Sequence, residues 1–118
     1  MQEIMEMADR LGQALARTEE HQTLRRAIAA SGEDRELAEL QTQIQGLEQA
    51  MQGRMQKGEE PTEEQAKEYE AFFGSLQGNA AYQRLVAAQA NFDKIVSKVN
   101  ETIHQGIQKG AESRIILT

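Results

Sequence analysis

Glu101 and His104 are the pair whose spacing points most directly to chemistry. Three residues apart on a helix, a carboxylate and an imidazole share a face, and a Glu-x-x-His pair is a ligand unit of carboxylate-bridged di-metal sites in helical bundles. A complete site takes a second such pair and two more glutamates facing inward. The other histidine, His21, has Thr18 rather than an acid three residues before it. A symmetric dimer is then the remaining source of a second pair. Glu101 and His104 flank the apolar seam of their segment instead of lying within it, so a solvated helix face is expected, with no metal and no cofactor. Ser31, Ser75, Ser97 and Ser113 have no histidine at a spacing suited to nucleophilic catalysis, and no glycine-rich phosphate loop is present. Without a convergent polar constellation the chain is expected not to be an enzyme.

The composition narrows the remaining options. There are no cysteines, which removes disulfides, thiolate metal sites, Cys-held iron–sulfur clusters and cysteine nucleophiles. The formal charge of −6 over 118 residues opposes a grip on a nucleic-acid backbone, which takes clustered Lys and Arg. The most basic region, Arg10, Arg17, Arg25 and Arg26, is interleaved with glutamates and reads as a solvated or partner-facing surface. No apolar run approaches the roughly 20 residues of a membrane span. The start, Met1-Gln2-Glu3-Ile4, is acidic and amphipathic, unlike a signal peptide, so a cytoplasmic address is expected.

The elements that must position any functional surface are helices. Gln, Glu, Ala, Lys, Arg and Leu dominate, and these favour helix. With no Trp, three Phe and two Tyr, a thick core is out of reach, and helices packed through Leu, Ile, Ala and Met are the natural solution. Ile4, Met7, Leu11 and Leu15 form a first stripe, and Thr18-Glu19-Glu20 starts a new helix. Leu24, Ala27 and Ile28 line the next, and Ser31-Gly32-Glu33-Asp34 reads as a turn. Leu37, Leu40, Ile44, Leu47, Met51 and Met55, spaced 3, 4, 3, 4 and 4, come close to a heptad seam. Lys57-Gly58 suits its C-terminus. After Glu59-Glu60-Pro61, Thr62 and Gln65 make a capping box. Ala66, Tyr69, Phe73 and Leu76 mark the fourth helix, ended by Gly78, and Asn79 caps the fifth. That helix carries Ala81, Leu85, Ala88, Phe92, Ile95, Val99, Ile103 and Ile107 and could run ~40 Å.

The expected organisation is one all-α domain over residues 1–118. It has N-terminal helices in 1–30, a long helix in 34–57, a connecting helix in 62–77, a long C-terminal helix in 79–109 and an apolar tail, 110–118, that docks or frays. Two long helices joined through a shorter one suggest a helical bundle built on a long antiparallel hairpin. A lone hairpin leaves half of each helix wet, so a homodimer is expected. Leu40, Ile44, Leu47, Met51, Phe92, Ile95 and Val99 are the residues assigned to helix packing and self-assembly. Gly46 and Gly53 lie seven apart beside the strongest seam, and two readings are open: close approach by another helix, or tolerated surface glycines. Gly106 and Gly110 share a face, with polar neighbours that exclude a membrane dimerisation motif and favour loosening of the helix end. The five methionines serve more naturally as core filling than as an adaptable surface.

The order of these segments resembles the YlbF/YmcA family of small helical bacterial regulators. The stretches that carry it are Ile4-Met5-Glu6-Met7-Ala8-Asp9-Arg10-Leu11 before the Thr18-Glu19-Glu20 break, and the Leu37–Met55 helix ending in Gln56-Lys57-Gly58. Leu76-Gln77-Gly78-Asn79, Tyr82 through Phe92 and Ile95 through Ile103 complete it, so that it spans residues 4–107. It is a pattern of helices, turns and polar landmarks without a catalytic signature. The resemblance implies an all-α fold, self-association and an adaptor role, with some relatives assisting ribonuclease Y in messenger RNA processing or acting in developmental regulation. An iron–sulfur cluster associated with cysteines of certain relatives does not transfer, because this chain has none. The alternative from a different class is a structural or chaperone-like helical homo-oligomer.

Overall fold

The computed structural model describes residues 1–117, with side chains described through residue 112. The chain folds as five helices: α1 (Gln2–Ala16), α2 (Glu19–Glu33), α3 (Arg35–Gln56), α4 (Glu63–Gly78) and α5 (Ala80–Leu117). No strand occurs among the described residues. The molecule is long and thin, 68 × 37 × 23 Å.

Side-chain caps start the helices after α1. The Thr18 hydroxyl accepts from the His21 N–H, and the Asp34 carboxylate accepts from the Leu37 N–H at 2.8 Å. Thr62 and Gln65 form a reciprocal capping box, each side chain accepting from the other's backbone N–H at 3.0 Å. Such caps satisfy orphan donors of the first turn, each contributing about 1 kcal/mol. The C-terminus of α3 closes on Gly58, whose φ of +78° is the left-handed conformation a side chain would resist. Gly58 N–H donates to the Met55 carbonyl and Glu59 N–H to the Arg54 carbonyl, the Schellman pattern. Arg54 braces the same loop through the Glu60 carbonyl and an exposed ion pair with Glu59 at 3.2 Å.

The hairpin consists of two broken rods. α2 and α3 are separated by Asp34 alone, and α4 and α5 by Asn79 alone. The rods lie antiparallel: α3 packs on α4, α5 on α2. The sequence suggested a hairpin of the two longest helices joined through α4. Instead, each long helix pairs with a shorter neighbour, and α3 and α5 meet at the breaks, where Leu37 and Ala81 share a cluster with Ile44 and Leu76. The two breaks face each other. Asn79 Oδ1 accepts from the Tyr82 N–H at 2.9 Å while its Nδ2 donates to Asp34 Oδ1 at 3.4 Å, which ties the cap of α5 to the cap of α3.

The core is thin and split in two. Leu37, fully buried, anchors the cluster at the breaks, with Tyr69, Phe72 and Tyr82 packed around it. Leu24, Ala27 and Ala88 form the second, with Leu85 and Phe92 against them. Two boundaries differ from the sequence expectation. Ser31, Gly32 and Glu33 complete the last turn of α2, with the Ser31 hydroxyl donating to the Ile28 carbonyl, and Asp34 alone makes the break. At the other end the backbone of residues 110–117 continues α5, because no proline intervenes and Gly110 keeps a negative φ. How the side chains of the apolar tail pack, the expectation made for 110–118, lies outside the described residues.

Candidate interaction surface

The residues assigned to helix packing divide between the two rods. Leu40, Ile44 and Leu47 are buried on α3, with Met51 half-buried one turn on. Ile44 clusters with Leu76, Tyr69 and Phe72 of α4. Phe92, Ile95 and Val99 are half-buried on α5, and Phe92 packs on Leu24 and Ala27 of α2. The two sets each serve a different neighbour and are not brought together. Gly46 and Gly53 have open space where a Cβ would stand, so no helix of this chain approaches them closely.

The apolar side chains that find no partner lie elsewhere. α1 is amphipathic, yet none of its residues is buried. Ile4, Met7 and Leu11 are exposed to 57%, 52% and 37%, on the stripe that Leu15 completes. α1 makes its main contact with the rest of the described chain at α2, across a joint capped by Thr18. The Thr18 hydroxyl donates to the Leu15 carbonyl at 2.7 Å while accepting from the His21 N–H at 3.2 Å. His21 Nδ1 lies 3.2 Å from the Ala16 carbonyl, an acceptor, so Nδ1 carries the proton in this contact. The other side of the His21 ring meets Phe92 edge-on at 5.0 Å, fixing the joint to α5.

The second free stripe is on α5. α2 has 15 residues and α5 has 38, so α2 covers little more than a third of its length. All residues from Glu101 to Glu112 are exposed, Ile103 at 47% and Ile107 at 62%. Gly106 and Gly110 lie on this face with nothing near their Cβ positions. Glu101 and His104 stand on the same exposed overhang. Among the described residues no three His, Asp or Glu side chains gather where an ion could bind.

A groove of about 540 Å³ between α3 and α4 is open to solvent and lined by Thr42, Gln43, Gly46, Leu47, Glu64, Glu68 and their neighbours. Its carboxylates face no histidine, lysine or arginine within the lining that could share acid–base work. The Tyr69 phenol is held above its ordinary range by desolvation, then by the charge of Glu48, to which it donates a hydrogen bond at 3.3 Å. Tyr69 also stacks on Phe73 one turn along α4 at 5.7 Å, while its hydrogen bond to Glu48 reaches across to α3.

This arrangement of five helices and free faces has known relatives. The sequence model of the family described as "Control of competence regulator ComK, YlbF/YmcA" matches residues 4–108. The chain belongs to the YlbF/YmcA family. Among relatives of this YlbF/YmcA chain, a UPF0342 protein of Leuconostoc citreum is 25% identical over 100 residues, 85% of each chain. A UPF0342 protein of Bacillus mycoides is 24% identical over 106 residues, covering 90% of this chain and 91% of its own. In three dimensions the chain superposes on a protein of unknown function (DUF964) from Bacillus stearothermophilus with a TM-score of 0.62 at 16% identity, over 89% of this chain and 92% of that one. That likeness supports the fold. The family description is regulatory and names no reaction. Among the described residues no helix is long and apolar enough to cross a membrane.

Sequence reasoning picked out both free stripes as helical seams but did not place them among the association residues. The signal was present in the lengths. The α5 seam continues through Ile103 and Ile107, beyond any stretch that a helix as short as Glu19–Glu33 could cover.

Proposed function

We propose that this YlbF/YmcA chain is a non-enzymatic regulatory adaptor that acts by packing its free helical faces against other protein chains. The observation that carries this reading is the pair of overhanging apolar stripes, Ile4–Met7–Leu11 on α1 and Ile103–Ile107 on α5, left uncovered by their own fold. Scattered exposed leucines need no explanation, but a row at helical spacing along an unpartnered helix marks an association surface. Amphipathic helices dock through i, i+3, i+4 and i+7 anchors, which is the spacing of Ile4, Met7, Ala8 and Leu11. The regulatory description of the family agrees with a protein that works through binding. The net charge of −6 directs it to protein partners in preference to nucleic acid.

The first partner to test is the ribonuclease-Y-associated complex implied by the resemblance. Tagged chain recovered from its host after cross-linking is expected to bring down a defined protein in fixed ratio. A Met7→Glu/Leu11→Glu variant, altered at exposed positions and expected to keep its helix content, should lose that protein. Recovery of this chain alone, or an unchanged partner with the variant, counts against the adaptor reading.

A further inference from the structure

The α3–α4 half of the molecule holds most of the net charge. Residues 35–78 carry nine glutamates against four arginines and lysines, a net −5 of the chain's −6. Part of that charge lines one groove. Glu64 and Glu68 border the space of about 540 Å³ between α3 and α4, together with the apolar Leu47, Ala50 and Phe72. Leu47 is buried and Phe72 half-buried, while both carboxylates are exposed. Among the described residues the ion pair formed is Arg54–Glu59, at the loop, and neither Glu64 nor Glu68 has one.

Two features of this groove work against the helices that build it. Gly46 lines it from the interior of α3, where glycine is the poorest helix former after proline. Nothing lies within 4 Å of where its Cβ would stand, so the space above it is empty. Glu64 and Glu68 are four apart on α4, where like charges share a face and oppose the helix. Glu64 is in the first turn, which the helix dipole favours, but Glu68 is a turn further on. Departures from local rules without compensation nearby concentrate at functional sites, and here two of different kinds meet in one groove.

We propose that the groove between α3 and α4 receives a short cationic helix from another protein, with lysines or arginines set on Glu64 and Glu68 and small or aliphatic side chains over Gly46 and Leu47. This goes beyond the adaptor reading above, since the groove is a face separate from the α1 and α5 stripes. A bare cation is a poor occupant, because no three acidic or imidazole side chains gather among the described residues. A helix suits the shape: two antiparallel helices leave a furrow into which the ridge of a third fits. On α3 the lining runs from Thr42 to Ala50, about 12 Å or two helical turns. Carboxylates spaced four apart on α4 present charge at the same interval as lysines four apart on the incoming helix. The arm's charge steers such a segment toward the groove, and the apolar lining holds it there.

The test uses the full chain and a defined probe, an amidated peptide of about 14 residues, roughly four turns, in alanine and leucine with lysines four apart on one face. Its control carries glutamate in place of each lysine. Isotope-resolved NMR is expected to show the lysine peptide shifting the amides of Gly46, Leu47, Glu64 and Glu68 saturably, and the glutamate peptide shifting none. Glu64→Gln/Glu68→Gln should weaken binding about 5-fold or more. Gly46→Leu fills the empty space and should weaken it about 10-fold or more with circular dichroism unchanged. Glu39→Gln/Glu70→Gln removes the same charge from exposed positions outside the groove and should stay within about 2-fold of wild type. Absence of binding, equal loss in both glutamine pairs, binding indifferent to Gly46→Leu, or shifts confined to α1 and α5 would each overturn the proposal. Groove shifts that grow with chain concentration without peptide would put a second copy there and overturn it too. The Met7→Glu/Leu11→Glu variant that tests the stripes should bind the peptide unchanged, so the groove and the adaptor reading stand or fall separately.

Discussion

Replacing Asn79 by alanine should destabilise the fold by about 1–3 kcal/mol, a large effect for one polar side chain in a helical protein. Asn79 is 6% exposed and is the one buried polar residue among those described. Its Oδ1 accepts from the Tyr82 N–H at 2.9 Å, so truncation leaves a part-buried donor without its cap. Loss of an N-cap costs about 1 kcal/mol, and stranding the donor adds to that in proportion to its burial. The 3.4 Å contact from Nδ2 to Asp34 lies at the long end of hydrogen bonding and contributes the smaller share. For a chain of this size each kcal/mol shifts the melting temperature by about 4 °C, so a drop of about 4–12 °C is expected.

The assay is urea and thermal unfolding followed by circular dichroism, at one fixed chain concentration so that self-association does not move the midpoint. Asn79→Asp separates the two hydrogen bonds. The carboxylate keeps the acceptor for Tyr82 but loses the donor to Asp34 and places two like charges side by side. The Asp variant should therefore be weaker than wild type at neutral pH and recover part of the difference as acid protonates one carboxyl. A double-mutant cycle with Asp34→Ala should show the two caps coupled by about 0.5 kcal/mol or more. A loss below about 0.3 kcal/mol for Asn79→Ala, or strict additivity with Asp34→Ala, would refute the view that facing breaks hold the two rods in register.

Leu37→Ala removes the fully buried side chain of the larger cluster and should cost about 2–5 kcal/mol in urea unfolding, the range for a leucine cavity in a core with little room to collapse. Gly46→Ala meets nothing within 4 Å in mid-helix and should raise stability by about 0.5–1 kcal/mol; destabilisation instead would reveal a helix from another chain pressed against that face. The Tyr69 phenol, held upward first by desolvation and then by Glu48, supplies stability that is fully present below its ordinary value of 10.0 and is lost as pH rises through its folded value. Alkaline unfolding curves should flatten in Tyr69→Phe, and an identical pH profile in the two proteins would remove that linkage.

Much of the fold was legible because short-range rules decided it. Thr62 and Gln65 sit three residues apart ahead of an apolar run, and each side chain accepts from the other's backbone N–H, so the boundary of α4 follows locally. Gly58 ends α3 for an equally local reason. The pairing of the helices was less legible. Leu40, Ile44 and Leu47 announce a buried face but not which neighbour buries it, since α4 and α5 both carry seams of similar spacing. The Ser31–Asp34 stretch has the composition of a turn, yet Ser31 satisfies itself on the Ile28 carbonyl and stays helical, leaving Asp34 as the break. Gly106 and Gly110 suggest a loosened helix end, yet the backbone of α5 stays helical through both.

The interaction surface follows from a mismatch of lengths that no single motif contains. A seam is a demand for a partner of equal length. α5 states that demand over 38 residues, and α2 meets it over 15. α1 carries a stripe of its own and joins α2 at a break where the Thr18 hydroxyl donates to the Leu15 carbonyl at 2.7 Å and accepts from the His21 N–H at 3.2 Å. On the adaptor reading, the apolar burial left unused on α1 and α5, roughly 1.5–3 kcal/mol for each large side chain, is what a covering partner would recover.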